Sequence, residues 1–351
     1  MAIEKSKIHK IIVRAPNWIG DVVMSIPALE GLKSNFPSAW LAVVAKPWVV
    51  DLLDTNASVD EILPYDPDSG PLARTKSTLQ MSKHIREAGY DMAVLFQNAF
   101  EAALLVWLGK VKQRIGYSTD GRRILLTHGI PRQKTGVHGL HQVDYYLNLL
   151  RAIGLEIPST EPKLSLSENQ IEKAHQFLSE RRLDSERITV GLAPGAIYGE
   201  AKRWPADRFA QVADLAVENW NANILIFGSA MERPIGNRVQ QSMRQSALNL
   251  CGETSLKEAI GLLSICDFFI TNDSGLMHVA AALDIPTVAI FGSTDPIATG
   301  PRSAKARVIC HNMDCAPCLK QTCPKDFSCM LSVTPNEVWL ELVKLREEVY
   351  Q

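Results

Sequence analysis

The chain has 351 residues, enough for two domains of ordinary size, and its 46% hydrophobic and 21% charged composition is that of a globular protein with substantial cores. A formal net charge of −1 gives a nucleic-acid binder no electrostatic footing. No apolar run approaches the length of a bilayer span, and no sustained apolar region follows the basic N-terminus as it would in a signal peptide, so a cytoplasmic protein is expected.

The apolar run Ile11-Ile12-Val13 predicts a buried strand, followed by the loop Arg14 to Gly20 and a helix from near Asp21 to Asn35, with Pro27 expected to kink it or limit its first turn. Residues 40–45, 61–63 and 92–96 read as further strands, and 79–88 and 99–108 as helices. A short strand is expected at 114–117. A basic loop around Asp120-Gly121-Arg122-Arg123 and Lys134-Thr135-Gly136 precedes a helix over 142–153. The turn-rich stretch 156–162 reads as a linker.

Beyond it the rhythm restarts. Residues 188–193 predict a strand, 194–204 a glycine-bearing loop, and Pro205 the first turn of a helix. A strand at 224–228, a helix at 256–265 with a Ser255/Glu258 capping-box spacing, and a strand at 287–292 follow. Pro335 to Tyr350 reads as an amphipathic helix. Alternating strands and helices in two halves predict an α/β chain with two Rossmann-like, doubly wound domains facing across a cleft, ligands binding outside the carboxyl ends of the strands.

Three places carry chemistry. Phe268-Phe269-Ile270 leads into Thr271-Asn272-Asp273-Ser274-Gly275-Leu276-Met277-His278, a strand, tight turn and capped helix. The unpaired N–H groups and partial positive charge of that helix start favour an anion, and Ser274 and His278 share one helix face. Lys202 and Arg203 sit late in the second half's glycine-bearing loop, where backbone N–H groups and a cation can hold phosphates, although as local pattern they equally fit solvated surface charges. Asp21, after Trp18 and Gly20, is either a helix cap or a carboxylate able to take a proton from a hydroxyl nucleophile. Neither a P-loop nor a G-x-G-x-x-G pattern is present, which disfavours kinase-type and NAD-dependent chemistry. The spacing Cys315-x2-Cys318-x4-Cys323-x5-Cys329 could close a structural tetrahedral zinc site, or it could be a set of free thiols.

Taken together, Asn17-Trp18-Ile19-Gly20-Asp21-Val22-Val23-Met24, Pro194-Gly195-Ala196 with Gly199-Glu200-Ala201-Lys202-Arg203-Trp204-Pro205, and Asn272 to His278 resemble the ADP-heptose:lipopolysaccharide heptosyltransferases of glycosyltransferase family 9, the first two looking most like the heptosyltransferase II branch. The resemblance runs across essentially the whole chain. It implies a GT-B architecture with an acceptor-binding domain over 1–160, a donor-binding domain over 161–334 and a helix over 335–351 packing back towards the first domain. The implied reaction transfers L-glycero-D-manno-heptose, with inversion, from ADP-heptose to the first heptose of the lipopolysaccharide inner core. Asp21 would be the general base and Lys202 the cation steadying the departing diphosphate. Gly195, Ala196, Arg203, Glu232, Asp273, Ser274, Gly275 and His278 would bind the donor with it, while Asn17, Trp18, Arg122 and Arg123 are candidates for the acceptor. No cofactor is expected for catalysis, with zinc at the cysteines at most structural. The implied partners are ADP-heptose and the lipid-linked inner core, met at the inner face of the cytoplasmic membrane by peripheral association. Alternatives are another core-sugar transferase, a sugar-nucleotide epimerase, or a non-catalytic nucleotide-sugar-binding module.

Overall fold

A computed structural model describes residues 3–67, 70–132 and 139–350, so Lys134-Thr135-Gly136 of the expected basic loop lies outside the described residues. The chain divides into two compact units, Met1–Pro162 and Lys163–Gln351.

The first unit runs β1 (Lys10–Arg14), α1 (Ile19–Asn35), β2 (Trp40–Ala45), β3 (Glu61–Pro64), α2 (Pro71–Ala88), β4 (Met92–Leu95), α3 (Phe100–Leu108), β5 (Gln113–Tyr117), β6 (His128–Ile130) and α4 (Gln142–Arg151). Its six strands are all parallel, in the order β3-β2-β1-β4-β5-β6. Ile11, Ile12, Val13, Ala42, Val43, Ala93 and Val94 are at most 1% exposed, the burial expected of strands covered on both faces by helices.

The second unit runs α5 (Glu168–Glu180), β7 (Thr189–Ala193), α6 (Ala206–Trp220), β8 (Asn223–Ile226), α7 (Arg233–Ser242), β9 (Leu248–Asn249), α8 (Leu256–Ser264), β10 (Phe268–Asn272), α9 (Gly275–Ala282), β11 (Thr287–Phe291), α10 (Pro296–Thr299), β12 (Ala306–Cys310), α11 (Ser328–Leu331) and α12 (Pro335–Val349). Its parallel sheet has the order β12-β11-β10-β7-β8-β9, the plan of the first sheet repeated. In each unit the strand order reverses beside the unit's first strand, between β1 and β4 and between β7 and β10. The crevice at such a point is where doubly wound sheets bind ligands.

Several expectations shift in detail. Helix α1 starts at Ile19, so Asp21 lies in its first turn rather than at its cap, and the helix runs unbroken through the buried Pro27. Helix α2 begins at Pro71, eight residues ahead of the expected start. Strands β6, β9 and β12 and helices α5 and α7 were not expected. The final helix α12 buries Val338, Leu342 and Leu345 in the second unit's own core against α6 and β11, with the Trp339 ring tilted against Trp220 at 4.6 Å.

Candidate functional site

In the second unit, β7 and β10 deliver their loops side by side. Asn272, fully buried at the end of β10, holds the loop after β7 at both ends. Its Nδ2 donates to the carbonyls of Pro194 at 2.8 Å and Gly195 at 3.3 Å, and its Oδ1 accepts from the Trp204 amide at 3.0 Å. Trp204 anchors the far end of the loop. It is fully buried, edge-on to Phe209 at 5.1 Å, and donates Nε1–H to the Val333 carbonyl at 3.0 Å.

A loop fixed in this way places Lys202 on a short helical turn, its Nζ 2.6 Å from Asp273 Oδ2, with both side chains largely buried at 14% and 6% exposure. The Lys202 ammonium also lies 4.8 Å from the centroid of the Tyr198 ring. Ser274 caps α9, its Oγ accepting from the Met277 amide and lying 3.1 Å from Thr271 Oγ1. The first N–H groups of α9 therefore open beside a held cation, an arrangement suited to a polyanion. His278 is buried one turn further on. Arg203 donates to the Ala196 carbonyl at 3.1 Å, while its Nε is buried without a partner.

Glu232, from the turn after β8, closes this edge. Its Oε2 accepts from both the amide and the hydroxyl of Ser229 at 2.8 Å. A Cβ at Gly195 would come within 2.0 Å of Glu232 Oε1, so a side chain at residue 195 would push this carboxylate from the place it holds against the loop. Gly195, Ala196, Lys202, Arg203, Glu232, Asp273, Ser274, Gly275 and His278 all lie in or beside the loops and helix starts at the carboxyl ends of β7, β8 and β10.

In the first unit, Asp21 Oδ1 accepts a 3.1 Å hydrogen bond from Tyr146, a buried residue of α4. Burial, then the neighbouring Asp21 charge, push the Tyr146 phenol well above its ordinary value, so it remains a donor that orients the carboxylate. Asn17 and the 63%-exposed Trp18 precede α1, and the Asn17 carbonyl accepts from Trp48 Nε1 at 2.8 Å. Tyr146 and Asn272 were missed by sequence reasoning. Asn272 stood within the marked motif but without a role, and nothing near Tyr146 in the sequence marks it.

Arg122 does not fit an acceptor role. It is fully buried, and its guanidinium bonds the carbonyls of Tyr117 (2.8 Å), Gln97 and Ala99 (3.5 Å) and Oδ1 of Asn98 (2.8 Å), stapling the loops after β4 and β5. Arg123 is exposed and donates to the Leu126 carbonyl at 3.2 Å. The four spaced cysteines gather in one place, with Cys315, Cys323 and Cys318 each acting on the Cys329 thiol. Among the described residues no group of three or more His, Cys, Asp or Glu side chains is arranged to hold a metal ion, and Cys315, Cys318, Cys323 and Cys329 are free thiols. They range from exposed Cys315 to buried Cys329, whose thiol is pushed up mainly by burial.

Comparison with known proteins gives the chain its relatives. The description "Glycosyltransferase family 9 (heptosyltransferase)" matches residues 78–327. "Lipopolysaccharide heptosyltransferase 2" of Salmonella typhimurium is 35% identical over 309 residues, covering 86% of this chain and 87% of the relative. The "Lipooligosaccharide heptosyltransferase 2" of a Campylobacter jejuni strain is 31% identical over 335 residues, covering 94% and 96%. Among solved structures, that of E. coli ADP-heptose lps heptosyltransferase II superposes with a TM-score of 0.83 at 29% identity over 97% of this chain and 100% of that one. A glycosyl transferase family 9 structure from Veillonella parvula has a TM-score of 0.87 at 24% identity, covering 99% of each chain, and bears on the fold alone.

Proposed function

The chain belongs to glycosyltransferase family 9, the heptosyltransferases, and on that premise we propose that it moves L-glycero-D-manno-heptose from ADP-heptose to the first heptose of the lipopolysaccharide inner core, inverting the anomeric carbon. The observation that carries this reading is the Lys202–Asp273 pair, held at 2.6 Å where the β7 loop meets the start of α9. Inverting transfer forms a bond from the acceptor oxygen to the anomeric carbon and breaks the bond from that carbon to the diphosphate. The acceptor proton must go to a base, and negative charge develops on the departing ADP.

Asp21 is the base in this reading, one oxygen held by Tyr146. Lys202 and the N–H groups of α9 stabilise the leaving diphosphate, with Asp273 aiming the ammonium. These groups supply the charge a metal ion would otherwise bring, so turnover is expected to survive a chelator. Gly195, Ala196, Arg203 and Glu232 line the rest of the donor site, Glu232 on the nucleoside side. Asn17, Trp18 and Arg123 remain acceptor candidates. No helix of the described residues is long and apolar enough to cross a membrane. In this reading the lipid-linked acceptor is met at the cytoplasmic membrane surface, by peripheral association at its inner face.

The test is transfer from ADP-heptose to heptosyl-Kdo2-lipid A, read by product mass. Asp21→Asn should lower kcat by about 10²–10⁴ while ADP-heptose still binds. Turnover retained in that variant removes Asp21 from the base role.

A further inference from the structure

The first unit contains a second, separate arrangement of charge. A cavity of ≈ 70 Å³ lies at the carboxyl ends of its strands, lined by Arg14, Asn17, Lys46, Arg74, Gln97 and Glu101 among others. Arg14 ends β1, Lys46 follows β2 and Gln97 follows β4, so the cavity sits at the point where the strand order reverses. A single water needs about 10–15 Å³ of such space, so the cavity is large enough for a small oxyanion.

Lys46 is paired with Asp66, and Arg74 with Glu101. Arg14 is 4% exposed, and its hydrogen bonds run to neutral oxygens: Ala15 O at 2.9 Å, Val44 O at 3.2 Å and Asn17 Oδ1 at 3.1 Å. Among the described residues three cations thus face two carboxylates, and the buried one, Arg14, has no carboxylate in contact and feels Glu101 and Asp66 only through space. Burial pulls the Arg14 guanidinium down to about 10, still charged at neutral pH. A buried charge is costly unless a counter-charge reaches it.

We propose that this cavity, with Arg14 and Lys46 as its cations, is a subsite for one oxyanion of the acceptor, a carboxylate of its acidic sugars or a phosphate of its lipid. The proposal rests on the transferase reading above. Asn17 connects the subsite to the chemistry: its side chain holds Arg14, and four residues later the chain reaches Asp21 in the first turn of α1. An acceptor anchored by its anion in this cavity would have its position along the Asp21 loop fixed by a charged contact, which sets specificity for acidic acceptors.

The test uses the full chain and the variants Lys46→Met and Arg14→Lys, with melting temperature confirming the fold. Lys46→Met should raise the acceptor KM about tenfold or more, the usual size of a lost hydrogen bond to a charged group, with the ADP-heptose KM unchanged. Arg14→Lys, which keeps the charge but not the fork, should give a smaller rise. Acceptors stripped of phosphate, or with carboxyl groups reduced to alcohols, then identify the group: the treatment that abolishes the difference between wild type and Lys46→Met removed the bound oxyanion. Folded variants with an unchanged acceptor KM, or a rise that persists on both stripped acceptors, overturn the proposal. If wild type transfers nothing, the transferase reading fails instead. Inorganic phosphate then still probes the cavity, since it should raise the melting temperature of wild type more than that of Lys46→Met, and equal shifts overturn the subsite.

Discussion

Lys202 differs from an ordinary surface lysine in what surrounds it. Asp273 fixes its ammonium, the Tyr198 ring flanks it, and Asn272 holds the loop that carries it. Lys202→Met should therefore lower kcat by about 10²–10³, in line with the loss of a preorganised charge-stabilising group, with a smaller effect on acceptor KM; steady-state kinetics checks this. Asn272→Ala leaves two loop carbonyls and the Trp204 amide without their partner, and should cost about 1–3 kcal/mol, seen in chemical denaturation, together with weaker ADP binding. The motif around Asp273 was legible because a strand, a cap and small residues stand together in the sequence. The roles of Asn272 and Tyr146 were not, since their partners lie 78 and 125 residues away and only the folded sheet brings them together. Arg122 misled for a related reason. A basic pair in a polar loop looks the same in sequence whether the guanidinium faces solvent or staples carbonyls.

Among the elements, strands buried on both faces announced themselves as unbroken apolar runs, and the Ser255/Glu258 spacing forms the box it suggested: the Ser255 amide donates to Glu258 Oε2 at 2.7 Å and the Glu258 amide to Ser255 Oγ at 3.2 Å. Short edge strands were missed. The two residues of β9 and three of β6 are held by one neighbour and are too brief for a period to show. The first turns of α2 were missed because most residues from Leu72 to Lys76 are exposed, leaving no apolar stripe. The capping box also titrates. Hydrogen bonds from the Ser255 backbone and side chain hold the Glu258 carboxyl below its ordinary 4.5. A depressed acid contributes stability that is present above the unfolded value and is lost as pH falls through the folded one. The melting-temperature gap between wild type and Glu258→Gln should accordingly narrow as pH drops below 4.5. At α9, Ser274→Ala removes the cap and should cost about 0.5–2 kcal/mol, with a rise in ADP-heptose KM measured alongside the thermal midpoint.

At the scale of the molecule, each unit has its own buried core and its own sheet. All the residues proposed to bind the donor belong to the second unit, so a fragment of residues 163–351 is expected to fold and to bind ADP with an affinity close to that of the full chain, as calorimetry would measure. Removing residues 335–351 from it should abolish cooperative unfolding, because Val338, Leu342 and Leu345 are each at most 1% exposed in that core, and burying one such side chain contributes about 1.5–3 kcal/mol. The two-half plan could be read from the sequence by its repeated strand–loop–helix rhythm, whereas the strand order could not, since periodicity does not say which strands are neighbours. That order has a bearing on synthesis. Strands β1 to β6 form one sheet and β7 to β12 the other, with no strand exchanged between them. Every backbone partner the first sheet needs has left the ribosome before β7 is translated, so the first half can complete its sheet while the second is still being made, and the growing chain need not hold unpaired strand edges open for a partner yet to come.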